Sequence, residues 1–301
     1  MASLSLPVET LAGLVMVFSS IPLLEISVDA SEYASLADQA DRHALYQRAV
    51  NAPVAHIDFI RKVYRSMRKR EPRVLKEDFC GTALMASTWA QRSPHNRAIG
   101  VDLDADALAW GRQHNLERHG PALARRVALV HADVLEDSSH RADIVCALNF
   151  SYNLLLARHQ LLAYLRNARR SLLPDGLFLL DCIGGTEAVI DFSEERRCEE
   201  FTYIWAQQGF NPLDHSAQCS ISFAFPDGSR IEPAFAYRWR LWTMPELRDC
   251  LAEAGFTHCE VNSLQAHFPH EDLVAHEYYS QFYTYAPGFN HFVDTDLTRG
   301  I

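Results

Sequence analysis

Apolar residues along this chain recur first at helical spacing, then in short β-branched runs alternating with helical stretches, and later at a strict period of two. Residues 31–73 form the first helical part. Ser35 is placed to cap a segment running through Asp38, His43, Tyr46 and Val50. Pro53 is placed to open a second helix with Ile57, Ile60, Val63, Tyr64 and Met67 on one face. Between Val74 and Cys182, residues 74–75, 98–101, 127–130, 144–148 and 177–180 read as strands, and 84–92, 105–118 and 158–173 read as helices. That alternation implies crossover connections and a parallel sheet covered on both faces. The predicted fold class is α/β, a doubly wound, Rossmann-like, mostly parallel sheet.

Residues 199–242 break the rhythm. Segments 201–206, 216–225 and 231–242 read as antiparallel strands, with hairpin chemistry at Pro226-Asp227-Gly228-Ser229. In the third, Tyr237, Trp239 and Leu241 share one face, and Arg238, Arg240 and Trp242 share the other. Thr243 then caps a helix over 245–254 that stops at Gly255. This piece is an antiparallel lid inserted after the fifth strand. Beyond it, only 278–285 offers a final strand. The predicted division is an extension over 1–34, helices covering the site over 35–73, and a main domain over 74–301 carrying the insert at about 199–242.

Composition narrows the chemistry. The 301 residues carry 28 Lys and Arg against 38 Asp and Glu, a formal charge of -10, which repels phosphate backbones. The basic stripe Arg61, Lys62, Arg65, Arg68, Lys69 and Arg70 therefore reads as a solvated helix face, and no nucleic-acid partner is expected. Seven cysteines without a C-x-x-C pair suit reduced thiols in the cytoplasm, with no metal. The apolar run 10–24 follows no Lys or Arg, is interrupted by Pro22 and is shorter than the roughly 20 residues of a membrane span. It reads as a segment lying on the domain or as an extension, so a cytoplasmic location without a membrane partner is expected.

An open parallel sheet binds ligands beyond the carboxyl ends of its strands. Here the first strand leads into Glu77-Asp78-Phe79-Cys80-Gly81-Thr82-Ala83 and then a helix, whose N-terminus presents free N–H groups. Asp102 ends the second strand, 21 residues after Gly81, where an acid bonds the hydroxyls of a ribose. The ligand implied is an adenosine. G-x-G-x-x-G and G-x-x-x-x-G-K-[ST] are both absent, and Glu77 and Asp78 would repel pyrophosphate. Two carboxylates suit a positively charged ligand instead.

With these motifs, residues 41–261 resemble the class I S-adenosylmethionine-dependent methyltransferases. Glu77 through Ala83 resemble the loop that holds the methionine part, Gly100-Val101-Asp102-Leu103-Asp104 the ribose motif, and His131-Ala132-Asp133-Val134 the adenine segment. Ala147 through Asn153 resemble the fourth-strand motif below the methyl donor, and Leu173-Pro174-Asp175-Gly176-Leu177 the turn before the fifth strand. The closing Leu241 through Leu247 and Glu253-Ala254-Gly255-Phe256 occur at this place in small-molecule members. Phe79 and Ala83 depart from the family, standing where glycine is usual.

The resemblance implies S-adenosylmethionine as cofactor, held by Tyr46, Glu77, Asp78, Phe79, Cys80, Gly81, Thr82, Asp102, Leu103, Asp133, Val134 and Asn149. It implies in-line methyl transfer to a small molecule, cationic and amine-bearing acceptors included, without a metal. Asn149, Tyr152 and Asp181 are the candidate catalytic residues. Tyr46, Phe79, Tyr152, Tyr203 and Trp239 are candidate aromatic faces for the sulfonium. His43 and His215 are secondary candidate bases, and Cys80 reads as a small loop residue rather than a nucleophile. The alternatives are an inactive scaffold that keeps the fold, then an RNA methyltransferase, with an NAD-linked oxidoreductase last.

Overall fold

The helical spacing after Ser35 is interrupted by a second cap. In the computed structural model, which describes residues 34–136, 140–185, 187–263 and 280–285, Ser35 caps only α1 (Leu36–Gln39), in a capping box with Asp38. Asp41 then caps α2 (Arg42–Val50), accepting from the N–H groups of His43 and Ala44. The single segment expected here is therefore two helices, because the Asp41 carboxylate offers the backbone a fresh start. α3 (Pro53–Arg68) opens at Pro53 and buries Ile57, Ile60, Val63 and Tyr64. Its end is pinned by the buried carboxylate of Asp143, which accepts from the Tyr64 hydroxyl, the Arg70 guanidinium and the N–H groups of Arg73 and Val74. The apolar run 10–24 lies outside the described residues.

The chain then alternates: β1 (Val74–Asp78), α4 (Leu84–Gln91), β2 (Arg97–Asp102), α5 (Ala105–Gly111), α6 (Pro121–Ala124), β3 (Val127–His131), β4 (Ala142–Ala147), α7 (Arg158–Arg170) and β5 (Leu172–Cys182). These five strands are parallel, in the order β3-β2-β1-β4-β5, so the order reverses between β1 and β4. The helix expected over 105–118 is shorter: α5 gives way at Gly111 to a π-helical turn and a 3₁₀ turn. Leu75, Ile144 and Leu179 face α3 and α4, together with Trp89. Val145, Phe178 and Leu180 face the opposite side, with Leu161 and Leu165 of α7.

After β5 comes a second sheet of β6 (Phe192–Arg197), β7 (Thr202–Asn211), β8 (Ser216–Ala224) and β9 (Arg230–Arg240), antiparallel throughout. The insert thus has four strands and begins earlier than expected. β6 escaped notice because its charged run Ser193-Glu194-Glu195-Arg196-Arg197 carries little hydrophobic signal. Gly228, at φ +84°, closes the predicted turn between β8 and β9. α8 (Met244–Glu253) starts with a capping box of Thr243 and Glu246 and stops at Gly255, φ +92°. β10 (His258–Ser263) and β11 (Ser280–Tyr285) complete the main sheet, with β11 antiparallel between β5 and β10. The candidate strand over 278–285 takes this place.

All seven cysteines are unpaired, and no helix among the described residues is long and apolar enough to cross a membrane. The basic face of α3 is largely engaged: Arg61 and Arg65 pair with Glu71, Arg70 with Asp143 and Asp175, and Arg68 donates to the Asp175 carbonyl.

Candidate functional site

Strand alternation sends Glu77 and Asp78 to opposite faces of the sheet. Asp78 was expected beside the ligand. The structure buries its carboxylate in the core, ion-paired with Lys76, itself 1 % exposed, and accepting from the Tyr164 hydroxyl. Only Glu77 remains on the loop side, where it accepts from the Ala86 N–H at the start of α4, 2.9 Å away. Burial, reinforced by the Asp102 and Asp78 carboxylates, pushes Glu77 up to about 8. Among the described residues this half-buried carboxylate has one backbone partner and no cation beside it.

The loop after β1 repeats one conformation at every second residue. Phe79, Gly81 and Ala83 are all left-handed, at φ 57°, 50° and 53°. Glycine is the usual residue for such positions, and each side chain there costs about 1–2 kcal/mol. The Phe79 ring offsets part of this cost by packing edge-on against Tyr164, centroids 5.4 Å apart. Two more glycines let the loop close. A Cβ on Gly100 would lie 2.8 Å from the Cys80 sulfur, and one on Gly111 would lie 2.2 Å from the Thr82 carbonyl oxygen. Burial raises the Cys80 thiol well above its ordinary range, which suits packing and not nucleophilic attack.

Asp102 is held between this loop and α5, accepting from the N–H groups of Gly81 at 2.6 Å and Asp104 at 2.9 Å. Leu103, next in sequence, is 67 % exposed. Across the strand ends, His131 meets the Leu103 carbonyl, and Asp133 accepts from the Leu135 N–H. Val134 is buried, its carbonyl held by the Asn167 amide. Exposed Leu103 thus stands beside the 131–134 segment, one strand from the Asp102 carboxylate.

At the other side of the switch point, Asn149 and Phe150 follow β4, both left-handed at φ 57°. Their consecutive N–H groups donate to the two oxygens of Asp181, at 2.6 and 2.8 Å. Burial pushes Asp181 up to about 7 against the opposing pull of these bonds. Tyr152, expected at the site, is only 1 % exposed and belongs to the core under the sheet, with its hydroxyl on the Cys182 thiol. The 3₁₀ turn Ser151–Leu154 that follows the half-buried Asn149 turns Tyr152 inward.

The roof is shared by α2 and the insert. Leu45 packs against Phe201, Ile221 and Phe223, and the α1 backbone is caught by the turn between β8 and β9. There the N–H groups of Leu36 and Ala37 donate to Asp227 and Ser229. Gln47 donates to the Thr82 hydroxyl at 2.6 Å, and Asp41 accepts from the Trp110 indole, so α2 also clasps the loop and α5. Tyr46 lies beneath this roof. Burial pushes its hydroxyl well up, with Tyr237, Tyr203, Asp181 and Asp102 adding to that push, and its ring packs in one cluster with Tyr203, Phe235 and Tyr237. Trp205 and Trp239 pack on each other at 5.0 Å, and Phe150 meets Trp239 at 6.2 Å, joining the insert to the end of β4.

The structure therefore brings Tyr46, Glu77, the 79–83 loop, Asp102, Leu103, Asn149, Asp181 and Tyr203 to the carboxyl ends of the strands. His43 lies on the α2–α5 contact, between Trp110 and Phe235, and His215 sits in the turn between β7 and β8 beside Phe210. Sequence reasoning missed Gln47 and passed over Tyr237 as a site residue. A polar side chain one turn after His43, and an aromatic alternating with Trp239, were the available signals. No cluster of metal-ligating side chains occurs among the described residues.

Residues 79–176 match the family model of a methyltransferase domain. This chain carries a methyltransferase domain. The matched segment begins in the left-handed loop and ends within β5, so it includes Asp102 and Asn149 but neither Glu77 nor Asp181. No curated protein sequence matches the chain. Among solved structures, an S-adenosylmethionine-dependent methyltransferase from Clostridium acetobutylicum superposes with a TM-score of 0.62 at 16% identity, covering 82% of this chain and 98% of that one. CalS10, an amino pentose methyltransferase from Micromonospora echinaspora, gives 0.58 at 19% identity over 80% and 95%. The sugar N-methyltransferase KedS8 from Streptoalloteichus gives 0.57 at 18% identity over 93% and 100%. The methyltransferase domain thus has the class I fold, with the insert after the fifth strand.

Proposed function

We propose that this methyltransferase carries a methyl group from S-adenosylmethionine to a small-molecule acceptor held under the roof of α2 and the insert. The observation that carries the reading is the half-buried carboxylate of Glu77, without a cation partner among the described residues, beside the left-handed loop and Asp102. It fits the α-ammonium end of that cofactor, as Asp102 fits its ribose and exposed Leu103 with the 131–134 segment fits its adenine. When bound, S-adenosylmethionine supplies an electrophilic methyl on a sulfonium.

The chain's own residues position and enclose. The loop N–H groups and Glu77 orient the amino-acid end, and Asp102 fixes the sugar. The aromatic roof excludes water and favours positive charge by roughly 0.5–2 kcal/mol per well-placed ring. Alignment of the acceptor with the methyl supplies most of the rate in such a displacement. The enclosed roof favours a small acceptor over a polymer, and relatives of this fold include an amino pentose methyltransferase and a sugar N-methyltransferase.

The test incubates the purified chain and methyl-labelled S-adenosylmethionine with separate pools of metabolites, tRNA and protein. Label is expected in the metabolite pool. Label in tRNA or protein with none in metabolites overturns the choice of acceptor. The α3 ion pairs leave little free positive charge for RNA. Phe79 and Ala83 adopt the left-handed backbone that glycine favours, which supports a formed loop over an inactive scaffold.

A further inference from the structure

The insert leaves one side of its sheet open. Its strands run in the order β6-β7-β8-β9, so β6 pairs with β7 on one side and, among the described residues, with no strand on the other. An open edge presents unpaired N–H and C=O groups and is a template for another strand. Proteins blunt such edges with prolines, bulges and charges, lysine above all. β6 (Phe192-Ser193-Glu194-Glu195-Arg196-Arg197) has no proline and no lysine. Its pairing with β7, from Phe192 with Gln207 to Arg197 with Thr202, runs without a register shift. The charges it does carry are of both signs.

One hydrogen bond fixes which backbone groups of β6 face outward: the Cys198 N–H donates to the Phe201 carbonyl at 2.8 Å. Opposite residues of an antiparallel pair alternate between hydrogen-bonded and non-bonded positions. Counting back from Cys198, residues Arg196, Glu194 and Phe192 bond to β7, and Ser193, Glu195 and Arg197 turn their N–H and C=O groups to the open side. Side chains follow the same alternation. Glu194 and Arg196 share the face of Tyr203, on whose ring Arg196 stacks at 4.9 Å while it donates to the Ala49 carbonyl. The Ser193, Glu195 and Arg197 side chains are exposed.

Two copies of this strand fit each other. Antiparallel pairing about a two-fold axis at Glu195 sets Ser193 opposite the partner's Arg197 and joins the outward groups of Ser193, Glu195 and Arg197. At the positions between, where side chains stand closest, it sets Glu194 opposite the partner's Arg196, and symmetry makes that opposite-charge pair twice. Glu195 meets its own copy on the solvent face, with Arg197 two residues along the same face of each strand. Val189 and Ile190, both exposed, stand just before β6, at the end that faces the partner's turn after β6. They add apolar area that a charged strand lacks.

We propose that the chain forms a two-fold dimer through β6, which joins two four-stranded inserts into one eight-stranded antiparallel sheet. The self-complementary charge of the strand selects a second copy of this chain over an unrelated peptide. Because the insert is part of the roof over the strand ends, the pairing ties the roofs of two protomers together.

Sedimentation of the full chain at micromolar concentration is expected to give twice the 34.1 kDa of one chain. Glu195→Pro removes an outward N–H and none directed at β7, a change that an edge strand tolerates. It is expected to weaken the dimer at least about tenfold and to leave the circular dichroism spectrum unchanged. If that variant does not fold, cross-linking decides. Glu195→Cys stands opposite its own copy at about 5.5 Å between Cα atoms, within disulfide range, whereas Ser193→Cys stands roughly 13 Å from its copy. Oxidation is expected to link the dimer in Glu195→Cys and not in Ser193→Cys, with the wild type as control for the native thiols. A monomeric wild type, a dimer that Glu195→Pro leaves intact, or cross-linking at Glu195 no greater than at Ser193 overturns the proposal.

Discussion

Phe79 and Ala83 hold left-handed backbone without glycine, and the residues around them show what that demands. The loop survives because Gly100 and Gly111, on β2 and at the end of α5, leave room for it. Gly111→Ala drives a methyl into the Thr82 carbonyl and is expected to cost about 1–3 kcal/mol or more in a denaturant melt. Ala83→Gly removes backbone strain but also a fully buried methyl, so its net effect is expected within about 1 kcal/mol of zero. A loss well beyond that contradicts a strained loop. Asp102→Ala removes the acceptor offered to ribose and frees Gly81, so cofactor affinity should fall by about 1–3 kcal/mol in calorimetry. Unchanged affinity rules out the ribose assignment. At this scale the sequence placed Glu77 and Asp102 at the ends of β1 and β2, where the structure has them. Asp78 lies elsewhere than expected: adjacent acids look alike in a sequence, and only the strand's alternation decides which one stays on the loop side and which one meets Lys76.

Among the elements, α2 does more than cover the strand ends. Asp41 starts it and holds the Trp110 indole at 2.5 Å, while Gln47 reaches Thr82, so one helix ties the roof to the loop. Asp41→Ala should lower stability by about 0.5–2 kcal/mol through the lost cap. If α2 closes the acceptor space as described, the same change should raise KM for the acceptor more than KM for the cofactor. Equal effects on both would assign α2 a purely structural role. The alternating strands and helices were legible because burial on both faces of a parallel sheet leaves continuous apolar runs. β6 was not, since its charged run carries almost no pattern, and the break at Asp41 was hidden by apolar spacing that continues across it.

For the whole molecule, two of the raised carboxylates, Glu77 and Asp181, set a pH dependence of stability. Glu77 and Asp181 lie at about 8 and about 7 in the fold, above their ordinary values of 4.5 and 3.8. Their protonated forms are the ones the fold prefers, so this contribution is full below the ordinary carboxylate range and is lost as pH rises through about 7 and 8. The ligand-free chain should therefore melt at a lower temperature at about pH 8.5 than at about pH 5.5, and a bound cofactor ammonium beside Glu77 should shrink the difference. A melting temperature that rises over this range contradicts the placement of both acids. The most direct test of the account is calorimetric titration of the full chain with S-adenosylmethionine and S-adenosylhomocysteine, with NAD as the control. The account predicts micromolar binding of the first two and none of NAD. Binding of NAD, or of none of the three, would contradict it.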